Sequence, residues 1–151
     1  NHDLSSQMAP GKFVTAFYGI LEHATGKLRY ARAGHPPAFL INPDGSLRAL
    51  NGEGVALGIG TPGVFALKLK ECEITIPPGG VVLLYSDCIK EARDDGRNEF
   101  GEKRLREALK AVAGLPAPEV IGYLLATVRE HVGHRQIDDD LTLMVIRRLA
   151  Q

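Results

Sequence analysis

The chain has 151 residues, of which 44% are hydrophobic and 24% charged, a balance that suits one globular domain with a buried core rather than a disordered segment. Its 18 basic and 18 acidic side chains cancel at pH 7, which argues against a general binder of nucleic acid or anionic membrane, because such binding draws on a surplus of Lys and Arg. No run approaches about eighteen consecutive apolar residues, and the opening NHDLSSQMAPGK has no apolar centre like that of a signal peptide, so no membrane span and a cytoplasmic location are expected.

Residues 1–11 read as a flexible lead-in. KFVTAFYGILE (12–22) is rich in β-branched and aromatic residues, and KLRYARA resumes the pattern after a turn at Gly26, which predicts a β-hairpin. PPAFLINPDGSLRAL predicts a second one. There Pro43 presets φ, Asp44 offers a local side-chain hydrogen bond and Gly45 permits a positive φ. In LKLKECEITI (67–76) the apolar positions are Leu67 and Leu69, then Cys72, Ile74 and Ile76, so the period of two changes phase across Lys70 and Glu71. A single strand with a β-bulge is the expectation. PPGG (77–80) makes a turn, and VVLLY (81–85), with no polar alternation, reads as a strand covered on both faces.

Helical periodicity follows. GEKRLREALKAVAG (101–114) sets Leu105, Ala108, Leu109 and Val112 on one stripe and stops at Gly114. PAPEVIGYLLATVREHVG (116–133) opens with prolines, spaces Val120, Ile121, Leu124, Leu125, Val128 and Val132 helically, and stops at Gly133. DDDLTLMVIRRL closes the pattern with an acidic triplet entering a strand as apolar as VVLLY. Cys72 and Cys88 form neither a C-x-x-C pair nor a disulfide scaffold and are expected as free thiols.

Two acidic positions at strand ends draw the functional question. Asp87 follows VVLLYS, and Asp138, Asp139 and Asp140 precede LTLMVI. If the two strands are antiparallel neighbours, these carboxylates reach one edge of a sheet, where they repel unless a divalent cation neutralises them. Oxygen ligands without histidine or thiolate favour Mg²⁺ or Mn²⁺ over zinc. The same aspartates also suit turn formation or helix capping, and spacing alone leaves both readings open.

YSDCIKEAR with FGEKRL soon after, AGHPPAFLI upstream and DDDLTLMVIRR at the end resemble the C-terminal half of the PPM-type (type 2C) serine/threonine protein phosphatases, in the bacterial SpoIIE and RsbU-like branch. The resemblance runs from about residue 12 to residue 149. It implies an α+β fold, a β-sandwich flanked by helices, here incomplete. It also implies two Mn²⁺ or Mg²⁺ ions held by aspartates, which activate a water for direct attack on phosphoserine or phosphothreonine without a phosphoenzyme. By motif, Asp87 corresponds to the aspartate of the family's (T/S)DG segment and Asp139 to the first of its D-(D/N)-x-T segment, with Asp140 the third candidate ligand. No catalytic residue beyond the metal ligands is implied. The implied substrate is a phosphorylated regulatory protein of the anti-sigma-factor-antagonist type, with no nucleic-acid or membrane partner.

Two departures accompany the resemblance. The family's other metal-binding stretch, GD-x-x-G-H-G, does not occur, and the chain starts at Asn1 without methionine, so a single domain forming the C-terminal part of a longer catalytic unit is expected. Cys88 stands where the family has glycine. The alternative that follows is a catalytically degenerate or truncated phosphatase-like module that binds a regulatory partner. Uncovered sheet edges in such a part predict self-association.

Other polar groups carry plainer expectations. His35, before two prolines, reads as a turn residue; His131 and His134, around Gly133, as a solvated helix end; and Lys90, Arg93 and Arg97 as a basic loop.

Overall fold

The structure is a computed structural model that describes residues 4, 7–9, 11–59, 62–137 and 139–150. Of the expected lead-in, residues 1–3, 5, 6 and 10 lie outside the described residues, as does Asp138 of the acidic triplet. Two compact units are present, Asn1–Pro37 with Leu50–Thr75, and Ala38–Ala49 with Ile76–Gln151.

In the first unit, β1 (Ala16–Glu22) pairs antiparallel with β2 (Lys27–Ala33) from Ala16↔Ala33 to Glu22↔Lys27, the predicted hairpin. Its turn closes with the Gly26 amide donating to the Glu22 carbonyl at 2.8 Å. The period of two is visible in β2, where Leu28 and Tyr30 are buried and Lys27 and Arg29 exposed. Two carbonyls from the segment after β2, those of His35 and Gly52, accept from the Arg32 guanidinium. Backbone runs so close there that a Cβ on Gly54 would meet the Arg32 carbonyl oxygen at 2.0 Å, which excludes any other residue.

The run at 67–76 is not one bulged strand. Pro62–Lys68 forms helix α1, whose ladder ends with the Leu69 amide on the Phe65 carbonyl at 3.0 Å. Strand β5 is only Glu71–Thr75, pairing antiparallel with β2 through Leu28↔Ile74 and Tyr30↔Cys72. The change of phase marks a helix-to-strand junction, with Leu67 on the helix and 74% exposed.

The second unit carries a four-stranded sheet. β3 (Ala38–Ile41) and β4 (Leu47–Leu50) form the second hairpin, and the sheet order is β4-β3-β6-β7, with β6 at Val81–Tyr85 and β7 at Leu143–Arg147. At the β3–β4 turn the Asn42 amide donates to the Ser46 carbonyl and the Gly45 amide to the Asn42 carbonyl, both at 2.9 Å, with Gly45 at φ 80. Asp44 Oδ1 accepts from the Ser46 amide at 2.9 Å and its hydroxyl at 2.7 Å, which lowers the Asp44 carboxyl below its ordinary value.

That lowering has a sign. A carboxylate with a depressed folded pKa stabilises the fold above its unfolded value and loses the contribution as pH falls through the folded one. Asp44→Ala is therefore expected to lower the urea midpoint at neutral pH and to have a smaller effect at about pH 2.5. Equal effects at both pH values would assign the turn's stability to its backbone alone.

β6 is interior to its sheet and buried at Val81, Val82, Leu83 and Tyr85, as expected. β7 is an edge strand with Met144 56% exposed, so its apolar run does not mean burial on both faces. Short helix α2 (Cys88–Glu91) leads to α3 (Gly101–Ala111) and α4 (Ala117–Val132), both close to their predicted spans. Leu105, Leu109, Val120, Leu124 and Val128 from α3 and α4 join Phe39, Ile41, Val81, Leu83, Ile89 and Phe100 in one buried cluster. Removing such side chains from water is the principal favourable term for this unit. The α+β class with two antiparallel sheets and helices thus stands. Among the described residues no helix is long and apolar enough to cross a membrane.

Candidate metal centre

A strand fixed between two neighbours makes a rigid base, and β6 delivers Asp87 two residues beyond its end. The backbone turns there into α2. Asp87 has αR angles at the N-cap position, and its carbonyl accepts from the amides of Lys90 at 2.9 Å and Glu91 at 3.1 Å. Its side chain makes no capping hydrogen bond, so the carboxylate is not used as a helix cap, and the residue is exposed. What the short helix takes from Asp87 is backbone, which leaves the acid group for other use.

The acidic segment meets Asp87 across the β6–β7 ladder. That pairing is antiparallel, with Leu83↔Val145, Leu84↔Met144 and Tyr85↔Leu143, so the C-terminal end of β6 and the N-terminal end of β7 share one sheet edge. Ser86 extends the pairing by one rung. Its amide donates to the Thr142 carbonyl at 3.0 Å, its hydroxyl accepts from the Thr142 amide at 3.0 Å, and the same hydroxyl lies 3.2 Å from the Asp140 carbonyl oxygen as donor. On the other side of Asp87, the Cys88 thiol donates to the Asp139 carbonyl at 3.3 Å. Both neighbours of Asp87 are therefore bonded to the backbone that carries Asp139 and Asp140.

Asp139 is itself ordered by the chain, because its Oδ1 accepts from the Asp140 amide at 2.8 Å. Asp139 and Asp140 are exposed. Sequence reasoning overlooks Ser86, whose only signal is a hydroxyl between a buried strand and an acid.

Cys88 fits its position. It is the first residue of α2, and among the described residues the one non-glycine with positive φ is Arg97, so the backbone at Cys88 makes no demand for glycine. Burial, then the Asp139 charge, raises its pKa, which keeps it a thiol rather than a competing thiolate. Burial followed by the Glu102 charge pushes the neighbouring Tyr85 hydroxyl up to about 12, so it too stays neutral. Beside these groups a cavity of about 240 Å³ is lined by Cys88, Glu91, Arg93, Gln136 and Asp139 among others.

The remaining polar expectations are revised in detail. His131 is not merely solvated: its ring stands edge-on to Phe100 at 5.4 Å, with Nε2 3.0 Å from the Asn98 carbonyl oxygen. His134 is exposed. Arg93 pairs with Glu99 at 3.0 Å and Lys90 lies 5.9 Å over the Tyr85 ring, so two of the three basic residues already have partners.

Carboxylate oxygens are the donors that suit a hard divalent cation, and the segments carrying Asp87 and Asp139 stand at one sheet edge. The count is short, however. Among the described residues no group of three or more His, Cys, Asp and Glu side chains is placed to hold a metal ion. What the backbone shows is that the turn carrying Asp87 and the segment carrying Asp139 and Asp140 lie at one sheet edge.

The family described as stage II sporulation protein E, SpoIIE, matches residues 1–149. The chain belongs to the SpoIIE family. Protein IcfG of Synechocystis is 29% identical to it over 136 residues, which cover 90% of this chain and 21% of IcfG. The solved RsbU and RsbW domains of Rv1364c from Mycobacterium tuberculosis share 25% identity at a TM-score of 0.74, over 99% of this chain and 40% of that one. The phosphatase domain of the cell fate determinant SpoIIE from Bacillus subtilis, from a crystal presoaked with Mn, shares 15% identity at a TM-score of 0.70, over 99% of this chain and 64% of that one. The chain therefore spans about a fifth of IcfG and less than two thirds of either solved chain. The SpoIIE-family fold it adopts is that of PP2C-type phosphatase domains.

Proposed function

We propose that this chain is the C-terminal, metal-binding part of a Mn²⁺- or Mg²⁺-dependent phosphatase that hydrolyses phosphoserine or phosphothreonine on a cytoplasmic regulatory protein of the anti-sigma-factor-antagonist type. The observation that carries this reading is the Ser86 clamp, which ties the Asp87 turn to the Asp139–Asp140 segment at one sheet edge. Family membership and the PP2C-type fold support the reaction class.

Asp87 and Asp139 would be the ligands, with Asp140 beside them. Two divalent ions, when bound, lower the pKa of a coordinated water and neutralise phosphoryl charge. The protein's own share is positional. The strand pair fixes where the acids stand, the serine hydroxyl holds the two segments in register, and the neutral Cys88 thiol leaves the oxygen donors uncontested.

A second reading rests on the ligand count and on the GD-x-x-G-H-G stretch missing from this sequence. In it the chain is a phosphatase-like module that binds its regulatory partner without chemistry. Calorimetric titration of the longest natural protein containing this chain with MnCl₂ separates the two. Binding is expected, and Asp87→Asn and Asp139→Asn are each expected to weaken it by about tenfold or more. Unchanged binding in both variants overturns the metal-site reading, and no binding in the parent favours the module.

A further inference from the structure

Of the three basic residues that follow Asp87, Arg97 is the one whose side chain makes no hydrogen bond or ion pair among the described residues, and it is exposed. It stands in a small hairpin loop between α2 and α3. Arg93 and Glu99 bridge the base of the loop antiparallel and pair through their side chains at 3.0 Å. Inside that base the Asp94 amide donates to the Asn98 carbonyl at 3.0 Å and the Arg97 amide to the Asp94 carbonyl at 2.9 Å, while Asp94 Oδ1 accepts from the Asn98 amide at 2.8 Å. From α4, His131 Nε2 donates to the Asn98 carbonyl at 3.0 Å, and below the loop the Phe100 amide donates to the Ala92 carbonyl at 2.8 Å. These supports all lie between Ala92 and His131, within the second unit.

The same residue carries the loop's strain. Arg97 has φ 63, and the left-handed place that ends a three-residue hairpin loop, here 95–97, suits glycine, since a side chain there costs energy. The neighbouring Gly96 serves another need. Its φ is not positive, and a Cβ on it would meet Asn98 Nδ2 at 2.9 Å and Asp94 Oδ1 at 3.2 Å, so it makes room for the Asp94–Asn98 pair. An arginine is thus held in a disfavoured conformation while its side chain adds no polar contact to the fold. Strain of this kind clusters where a side chain is put to use.

The loop rises beside the candidate metal centre, because the cavity lined by Cys88 and Asp139 is lined also by Ala92 and Arg93, from which the loop springs. Asp95 leans towards the end of α4, where a Cβ on Gly133 would lie 3.7 Å from its Oδ2, which leaves the guanidinium as the charge at the tip. The planar fork of a guanidinium matches a carboxylate. A phosphorylated residue seated at the acids would carry its sequence neighbours past this cavity, each adding about 3.3–3.6 Å of reach. We propose that Arg97 is a specificity-determining residue, presented by this loop to pair with a carboxylate flanking the phosphorylated residue of the protein substrate. The proposal rests on the phosphatase reading above and adds to it a substrate feature, acidic residues beside the phosphoserine.

Fluorescence anisotropy on the longest natural protein that contains this chain, with Mn²⁺ present, tests this. The probes are two synthetic peptides that carry a non-hydrolysable phosphonate in place of phosphoserine and differ only in having glutamate or glutamine on either side of it. The parent is expected to bind the glutamate peptide about fivefold more tightly, a preference that fades as salt is added. Arg97→Gln and Arg97→Gly are each expected to bind the two peptides alike, and Arg97→Gly to keep or raise the urea midpoint, because glycine relieves the left-handed strain. A preference that survives in either variant, or is absent from the parent, overturns the proposal. Hydrolysis of p-nitrophenyl phosphate by the parent reports on the phosphatase reading separately. An Arg97-dependent preference without hydrolysis keeps Arg97 as a recognition residue and sinks the reaction, and hydrolysis without that preference does the reverse.

Discussion

Asp87→Asn in the longest natural protein that contains this chain is expected to slow phosphoserine hydrolysis by at least about a hundredfold while leaving the denaturation midpoint nearly unchanged. The two halves of this prediction come from different observations. Asp87 is exposed and its side chain makes no capping hydrogen bond, so replacing it removes no contact that holds α2 in place. What holds the turn is its carbonyl, bonded to the Lys90 and Glu91 amides, and asparagine keeps that carbonyl. The loss falls instead on the charge offered to a divalent cation, because an amide oxygen is a weaker donor than a carboxylate. Excess Mn²⁺ is expected to recover part of the rate. Cys88→Gly is the companion variant: it removes the thiol that holds the Asp139 carbonyl at 3.3 Å and exchanges a helical residue for a flexible one, so it is expected to lower activity rather than raise it. Full activity in Asp87→Asn would place the reacting centre elsewhere.

How much of the fold is visible in the residues depends on the kind of signal. Turns carry their chemistry locally, and Pro43, Asp44 and Gly45 announce the β3–β4 turn because each supplies a different backbone requirement. Helix ends are similarly local for α4, whose C-cap is Gly133 at φ 66, whereas α3 stops at Ala111, three residues before Gly114 at φ 81. Amphipathic α3 and α4 are legible because their apolar stripes face one buried cluster. Helix α1 has no such stripe. Gly63, Val64, Ala66, Leu67 and Lys68 are exposed or nearly so and Phe65 is half-buried, so periodicity has nothing to detect, and its last residues merge with β5 into a false strand.

The candidate site divides along the same line. Asp87 and Asp139 stand out as acids at the ends of apolar runs, and their convergence needs only an antiparallel pairing, which the ladder supplies. Ser86 has no periodic signature, and the groups it binds are 54 and 56 residues away in the chain. Long-range hydrogen bonds of this kind follow from register, which a one-residue slip would destroy, and register is fixed only when the whole sheet assembles. The edge position of β7 escapes sequence reading for a related cause, since an apolar run states which residues tolerate burial and not which neighbours arrive.

Phe100→Ala is expected to cost about 3–5 kcal/mol of stability and to weaken Mn²⁺ binding at a site it does not touch. Phe100 is 1% exposed and belongs to the cluster that contains Ile89 and Ala92, the inward residues of α2 and its C-terminal cap. Its amide donates to the Ala92 carbonyl at 2.8 Å, so the same residue anchors the loop that leaves α2 and fills the space beneath it. Its ring also supports the His131 imidazole edge-on. Truncation opens a cavity under α2, and the turn bearing Asp87 begins that helix. Urea denaturation measures the first effect and calorimetric Mn²⁺ titration the second, with Phe100→Leu expected to restore most of both because it refills the volume. Leu67→Ala, at an exposed helical position, is the contrasting case and is expected to stay within about 0.5 kcal/mol. If Phe100→Ala destabilised the protein as stated yet bound Mn²⁺ with unchanged affinity, the acids would be held by the β6–β7 ladder and the Ser86 clamp alone, and the packing beneath α2 would serve stability without reaching the site.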